Sequence, residues 1–106
     1  RRLIIGISTT NLTQARQAIR SGADYCGLGP MFASTTKHKP RLAGPGYVEK
    51  FVERWPDQPH LAIGGIAADN ATDVQQAGGR GVAVCAAICR SDHPGREVKK
   101  LTRIFS

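Results

Sequence analysis

The sequence predicts an α/β fold made of four consecutive βα units around a parallel sheet. Four short apolar runs carry this reading: LIIGI (3–7), YCGLG (25–29), LAIGG (61–65) and VAVCA (82–86). They are nearly continuous rather than alternating, as strands buried on both faces read in parallel sheets. Segments of helical periodicity separate and follow them, so the order is β-α-β-α-β-α-β-α. Such alternation argues parallel units with right-handed crossovers. A weak internal echo, QAIRSGADYCGLG against VQQAGGRGVAVCA, reads as two βαβ pairs in series and is too weak to claim duplication. Two architectures fit four βα units: half of a (β/α)8 barrel, or a small open doubly wound sheet. A full barrel takes about 200 residues or more.

Each helix has its own signals. In NLTQARQAIRSG, Asn11 is a good N-cap with Gln14 three residues on, a capping-box spacing. Leu12, Ala15 and Ile19 share one face, and Gly22 is the left-handed stop. In GYVEKFVERW, Val48, Phe51, Val52 and Trp55 form the apolar face opposite Glu49, Lys50, Glu53 and Arg54, and Pro56 bars continuation. In DNATDVQQAGG, Ala71, Val74 and Ala77 point inward and Gly78 ends the helix. In PGREVKKLTRIF, Pro94 lies near the start and Val98, Leu101 and Phe105 face in.

Composition narrows the function classes. The 106 residues allow one domain or a piece of one. The chain opens on Arg1-Arg2 without Met and enters an apolar run at once, which is the expectation for a fragment. Net charge is +7 with a pI near 9.9. A basic balance suits a phosphate-bearing ligand or nucleic acid. Nucleic acid is the weaker expectation, because aromatics are only 6% and no helix interleaves them with a basic stripe. No apolar run nears the ~20 residues of a membrane span, and no signal peptide is visible. Cys26, Cys85 and Cys89 are an odd count without metal-like pairing, which predicts buried reduced thiols and a cytoplasmic protein.

In either architecture ligands bind beyond the carboxyl ends of the strands. After the first run comes Ser8-Thr9-Thr10-Asn11, where capping takes Asn11 or Thr10 and leaves Ser8 to face a ligand. After the second comes the long GLGPMFASTTKHKPRLAGPG, residues 27–46. Connections of about 4–6 residues are usual, and much longer ones tend to be functional or disordered. Here Ser34, Thr35, Thr36 and Lys37 offer three hydroxyls and an ammonium in a row, the donors an oxyanion needs. After the third run, Gly64-Gly65 lets backbone N–H groups approach a ligand. After the fourth, a short helical turn near Ala86, following Cys85, aims N–H groups at the same anion. His38, His60 and His93 show no triad or metal spacing, and no paired carboxylates occupy strand ends. The residues alone leave a solvated polar loop and a phosphate site both open.

Four motifs, IIGISTTNLTQARQA, GADYCGLGPMFASTTK, AIGGIAADNATDVQQAG and GVAVCAAI, together resemble the thiamine-phosphate synthase family. The resemblance implies the C-terminal half of a TIM (β/α)8 barrel over residues 1–106, strands 5–8 with their helices. It implies a transferase that joins an aminopyrimidine-methyl diphosphate to a thiazole phosphate, diphosphate leaving first. By position, Ser8 would meet the diphosphate or pyrimidine side. Ser34, Thr35 and Thr36 fall on the loop that holds thiazole phosphate, and Lys37 on the catalytic lysine that meets the diphosphate. Gly65, Cys85 and Ala86 fall on the backbone cup for thiazole phosphate. Magnesium is the implied cofactor, with its ligands expected in an N-terminal half, and this chain alone is expected to be inactive. The implied partners are phosphorylated small molecules, plus that N-terminal half or a second copy.

The sequence also departs from the family pattern. Thr10 replaces a common His, Ser34 replaces a Thr, and Ala86 replaces a Ser, leaving only backbone donors there. Pro30 favours the synthase over the related thiazole tautomerase, which carries His at that place. The alternatives are that tautomerase-like relative and a non-catalytic phosphate-binding module.

Overall fold

The computed structural model of the chain describes residues 3–33 and 41–106, with the Ala86 side chain left aside. Its elements in order are β1 (Gly6–Thr9), α1 (Leu12–Arg20), β2 (Tyr25–Leu28), α2 (Gly44–Arg54), β3 (His60–Ile63), α3 (Ala71–Gln76), β4 (Val82–Ala83), α4 (Ala86–Cys89) and α5 (Pro94–Phe105). The four strands form one parallel sheet in the order β1-β2-β3-β4. A doubly wound sheet reverses its strand order at a switch point. This order never reverses, so the open doubly wound alternative is not what forms. With right-handed crossovers and sequential order, every connecting helix lands on the same face.

That face holds the core. Thr9, Cys26, Leu28 and Ala62 point into it from the sheet and are at most 1% exposed. Ala15 and Ala18 of α1, Tyr47, Val48 and Phe51 of α2, Val74 of α3 and Leu101 of α5 close over them. The small Ala15 and Ala18 let α1 sit close to β1 and β2. Phe51 anchors the middle, with its ring centroid 5.3 Å from Trp55 and 5.4 Å from His60. His60 heads β3 as a structural residue. Its Nε2 accepts from Arg80 N–H (3.3 Å), and its Nδ1 lies 3.2 Å from the Gln58 carbonyl. A concavity of about 340 Å³ lined by Asp57, His60, Leu61 and Arg80 opens at this N-terminal rim of the sheet.

The opposite face is thinner. The Tyr25 ring lies across Gly6, so a Cβ at position 6 would collide with it. Ser8, Gly27, Gly29 and Ile63 meet on this face, and Leu61 covers Gly81. Burial on both faces, expected from the continuous apolar runs, therefore holds only for β2. Leu3 and Ile4 are 79% exposed and Ile5 is 52% exposed. β1 also starts later than the apolar run. Pairing with β2 begins at Gly6 opposite Tyr25, and Ile5 is held at that corner by Asp24, whose Oδ2 accepts its N–H at 2.8 Å. β4 is shorter than its run because the chain turns into α4 at Ala86. The thiol expectation is corrected likewise: Cys26 is buried, but Cys85 and Cys89 are exposed. They sit past the end of β4, where no neighbouring strand covers them among the described residues.

Candidate functional site

The carboxyl ends of the strands gather on the other rim. At β1 the exit is a reciprocal cap. Gln14 N–H donates to Asn11 Oδ1 (2.9 Å), while Gln14 Oε1 accepts from Thr10 N–H (2.8 Å) and the Thr10 hydroxyl (2.9 Å). Both candidate caps are thus spent on α1, as the spacing of Asn11 and Gln14 implies. Thr9 turns inward. Its hydroxyl donates to the Gly27 carbonyl (2.9 Å) and lies 2.6 Å from the Tyr47 hydroxyl, which also reaches the Asn11 carbonyl (3.1 Å). Burial pushes the Tyr47 phenol above its ordinary range, and the Thr9 contact offsets part of that shift. Ser8 points the other way and is exposed, with its Oγ beside Gly27.

Between β2 and β3 the backbone is stitched past the strand ends. Met31 N–H donates to the Ile63 carbonyl (2.9 Å) and Phe32 N–H to the Gly64 carbonyl (3.0 Å). The approach requires glycine at both turn positions. Gly64 and Gly65 have φ of +99° and +65°, and a Cβ on Gly65 would stand 2.6 Å from the Phe32 carbonyl oxygen and 2.7 Å from that of Ala33. Asn70 braces the turn from behind: its Nδ2 donates to the Gly65 carbonyl and its Oδ1 accepts from Ala67 N–H, both at 2.9 Å. On the far side of the long loop, Ala43 and Gly44 N–H both reach the Pro30 carbonyl (2.8 and 3.2 Å). Ala33 therefore stands against Gly65, and Ala43 and Gly44 stand beside Pro30. Ser34, Thr35, Thr36 and Lys37 themselves lie outside the described residues, as does His38.

β4 ends in the short α4. The Cys85 carbonyl accepts from Ile88 N–H (3.1 Å) and Cys89 N–H (2.8 Å), which closes the turn. The first N–H groups of a helix have no partner within it, and those of α4 begin at Ala86, on the rim that carries Gly65. Ser8, Gly65, Cys85 and Ala86 thus come from β1 and from the ends of β3 and β4. Ser8 and the β4 end stand on opposite edges of the sheet. Among the described residues, no three His, Cys, Asp or Glu side chains cluster as a metal site.

Tyr47 and Asn70 are the rim-supporting residues that sequence reading did not single out. Tyr47 was legible as the position four before Phe51, on the same helix face. Asn70 reads as an ordinary cap residue, and only the fold reveals that it also holds Gly65.

Comparison with known proteins agrees with this geometry. The family model for thiamine monophosphate synthase matches residues 1–88. The chain belongs to that family. It is 41% identical to a thiamine-phosphate synthase of Chloroflexus aurantiacus over 97% of its length and 48% of the relative's. It is 42% identical to that of Geobacillus thermodenitrificans over 86% of this chain and 42% of that one. Among solved structures it is similar to thiamine phosphate pyrophosphorylase from Pyrococcus furiosus, with a TM-score of 0.86 and 36% identity over 97% of this chain and 48% of that chain. This thiamine monophosphate synthase family chain spans about half the length of the curated relatives it matches.

Proposed function

We propose that residues 1–106 are the phosphate-cradling C-terminal half of a thiamine-phosphate synthase barrel. The observation that carries this reading is the anchoring of the long loop. Ala33 stands against a Gly65 that tolerates no side chain, and Ala43 N–H reaches the Pro30 carbonyl, which supports a reading in which the hydroxyl-rich segment between them serves the carboxyl rim. Backbone N–H groups from Gly65 and from Cys85-Ala86 would grip the thiazole phosphate, with the hydroxyls of Ser34, Thr35 and Thr36 closing around it. Neutral donors preplaced around an anion hold it without reorganising.

In the whole protein the C–O bond to the pyrimidine methylene breaks, and the diphosphate leaves with the electron pair. The pyrimidine cation is then captured by the thiazole nitrogen, forming the new C–N bond. Lys37 meets the departing diphosphate and balances the negative charge that develops on it. Ser8 contacts the diphosphate or pyrimidine side. Magnesium would be held by ligands of the N-terminal half of the whole protein. The chain by itself binds phosphate without turnover. Pro30 favours this reading over a tautomerase. The test is a titration of thiazole phosphate into the chain, together with an assay of thiamine phosphate formation from both substrates with magnesium. Saturable binding without product is expected. Absence of binding would overturn the cradle, and product from the chain alone would overturn the division of labour.

A further inference from the structure

The glycine turn after β3 is pinned at two successive peptide groups, each by a different partner. The Gly64 carbonyl accepts from Phe32 N–H (3.0 Å), and the Gly65 carbonyl accepts from Asn70 Nδ2 (2.9 Å). Both peptides are trans, and in a planar trans peptide the N–H points opposite to the C=O. Holding a carbonyl therefore aims the N–H of the next residue. The Gly64 bond turns the Gly65 N–H away from Phe32, and the Gly65 bond turns the Ile66 N–H away from Asn70. Among the described residues neither N–H has an acceptor, although Ile66 is only 4% exposed. A buried backbone N–H without a partner is costly, and adjacent aimed N–H groups are what an anion takes up.

The turn by itself would not keep these directions. Gly64 and Gly65 hold φ of +99° and +65°, and glycine visits both signs of φ readily. Asn70 is suited to holding its peptide. Its Oδ1 accepts from Ala67 N–H (2.9 Å) while its Nδ2 donates to Gly65, and a side-chain amide is one short group that can do both. These bonds join residues between Phe32 and Asn70 and involve neither outer strand of the sheet.

We propose that Asn70 is a positioning residue for phosphate: by holding the Gly65 carbonyl it aims the Ile66 N–H, beside that of Gly65, at the phosphate of thiazole phosphate. The inference rests on the proposed phosphate cradle. To that cradle it adds Ile66 as a second backbone donor and Asn70 as the side chain that sets it.

Asn70→Asp separates the two bonds of the amide. A carboxylate still accepts from Ala67 N–H and suits the start of α3, but it donates nothing to Gly65. Asn70→Ser removes the donor without adding charge. Thiazole phosphate, and separately the aminopyrimidine-methyl diphosphate with magnesium, are titrated calorimetrically into the whole protein and both variants. Each variant should bind thiazole phosphate about tenfold more weakly, as losing one hydrogen bond to a charged group implies. Affinity for the pyrimidine diphosphate and the melting temperature should stay nearly unchanged. For Asn70→Asp the loss should persist at about 0.5 M salt, where simple charge repulsion is screened. In the parent, thiazole phosphate should shift the Ile66 amide proton resonance. Equal affinities, a loss confined to Asn70→Asp or abolished by salt, equal weakening of both substrates, or an unmoved Ile66 resonance would overturn this inference and leave the cradle standing. A parent that binds no thiazole phosphate would overturn the cradle and this inference together.

Discussion

The hydroxyl oxygens of Thr9 and Tyr47 lie 2.6 Å apart inside the protein and tie the end of β1 to the first turns of α2. One residue closes the first strand, and the other follows the long loop. The pair therefore fixes how the loop's return is placed against the rim. Tyr47→Phe removes one buried hydroxyl and leaves Thr9 its Gly27 carbonyl. The expected loss is about 1 kcal/mol of stability, with Thr9→Val costing about 1–3 kcal/mol because the Tyr47 hydroxyl then loses a buried partner. Chemical denaturation of both variants checks the order.

The same phenol gives a pH dependence. Burial raises Tyr47 above its ordinary value of 10.0. The folded state then holds the proton where the unfolded chain releases it. Stability is thus fully present below about pH 10 and falls as pH rises from there through the folded value. Denaturation midpoints between pH 9 and 11 should fall less steeply for Tyr47→Phe than for the parent. Parallel slopes would show that Tyr47 titrates as it does unfolded.

The three thiols should separate cleanly. Burial pushes the Cys26 thiol up, whereas Cys85 and Cys89 are exposed. Since thiolate and access both govern reaction, a thiol reagent at neutral pH should modify Cys85 and Cys89 promptly, and Cys26 only in denaturant. Rapid modification of all three in the native chain would contradict the packing of β2 against the helices.

Gly65 tests the turn. Gly65→Ala places a side chain at φ +65° and within 2.7 Å of two carbonyl oxygens. A loss of about 2 kcal/mol or more is expected from left-handed strain and collision together. Gly46→Ala, in the first turn of α2 with open space around it, should be neutral or stabilise by up to about 1 kcal/mol. Thermal melts of the two variants give the comparison.

Helix positions were the most legible part of the fold. α1 and α5 carry strong local signals, the Asn11 cap with Gln14 and the Pro94 start, and both form where those residues place them. Strand bounds were less so, because a strand ends where its neighbour stops pairing. The apolar run at 3–7 gives no hint that pairing begins at Gly6, nor the run at 82–86 that only Val82–Ala83 pair. The thiols of Cys85 and Cys89 misled for the same reason: an apolar neighbourhood in sequence is buried only if a partner element covers it. At the rim, the tight turn was legible from the paired glycines at 64 and 65, while Asn70 and Tyr47 act through residues distant in sequence.

We propose that a phosphorylated small molecule is cradled at this rim with Lys37 supplying the cation. Calorimetric titration of thiazole phosphate and of diphosphate into the parent chain and Lys37→Ala tests it most directly. We expect saturable binding of both to the parent, with diphosphate weakened about tenfold or more by the substitution, as losing one charge-assisted contact implies. Equal affinities for parent and variant, or no saturable binding at all, would contradict it.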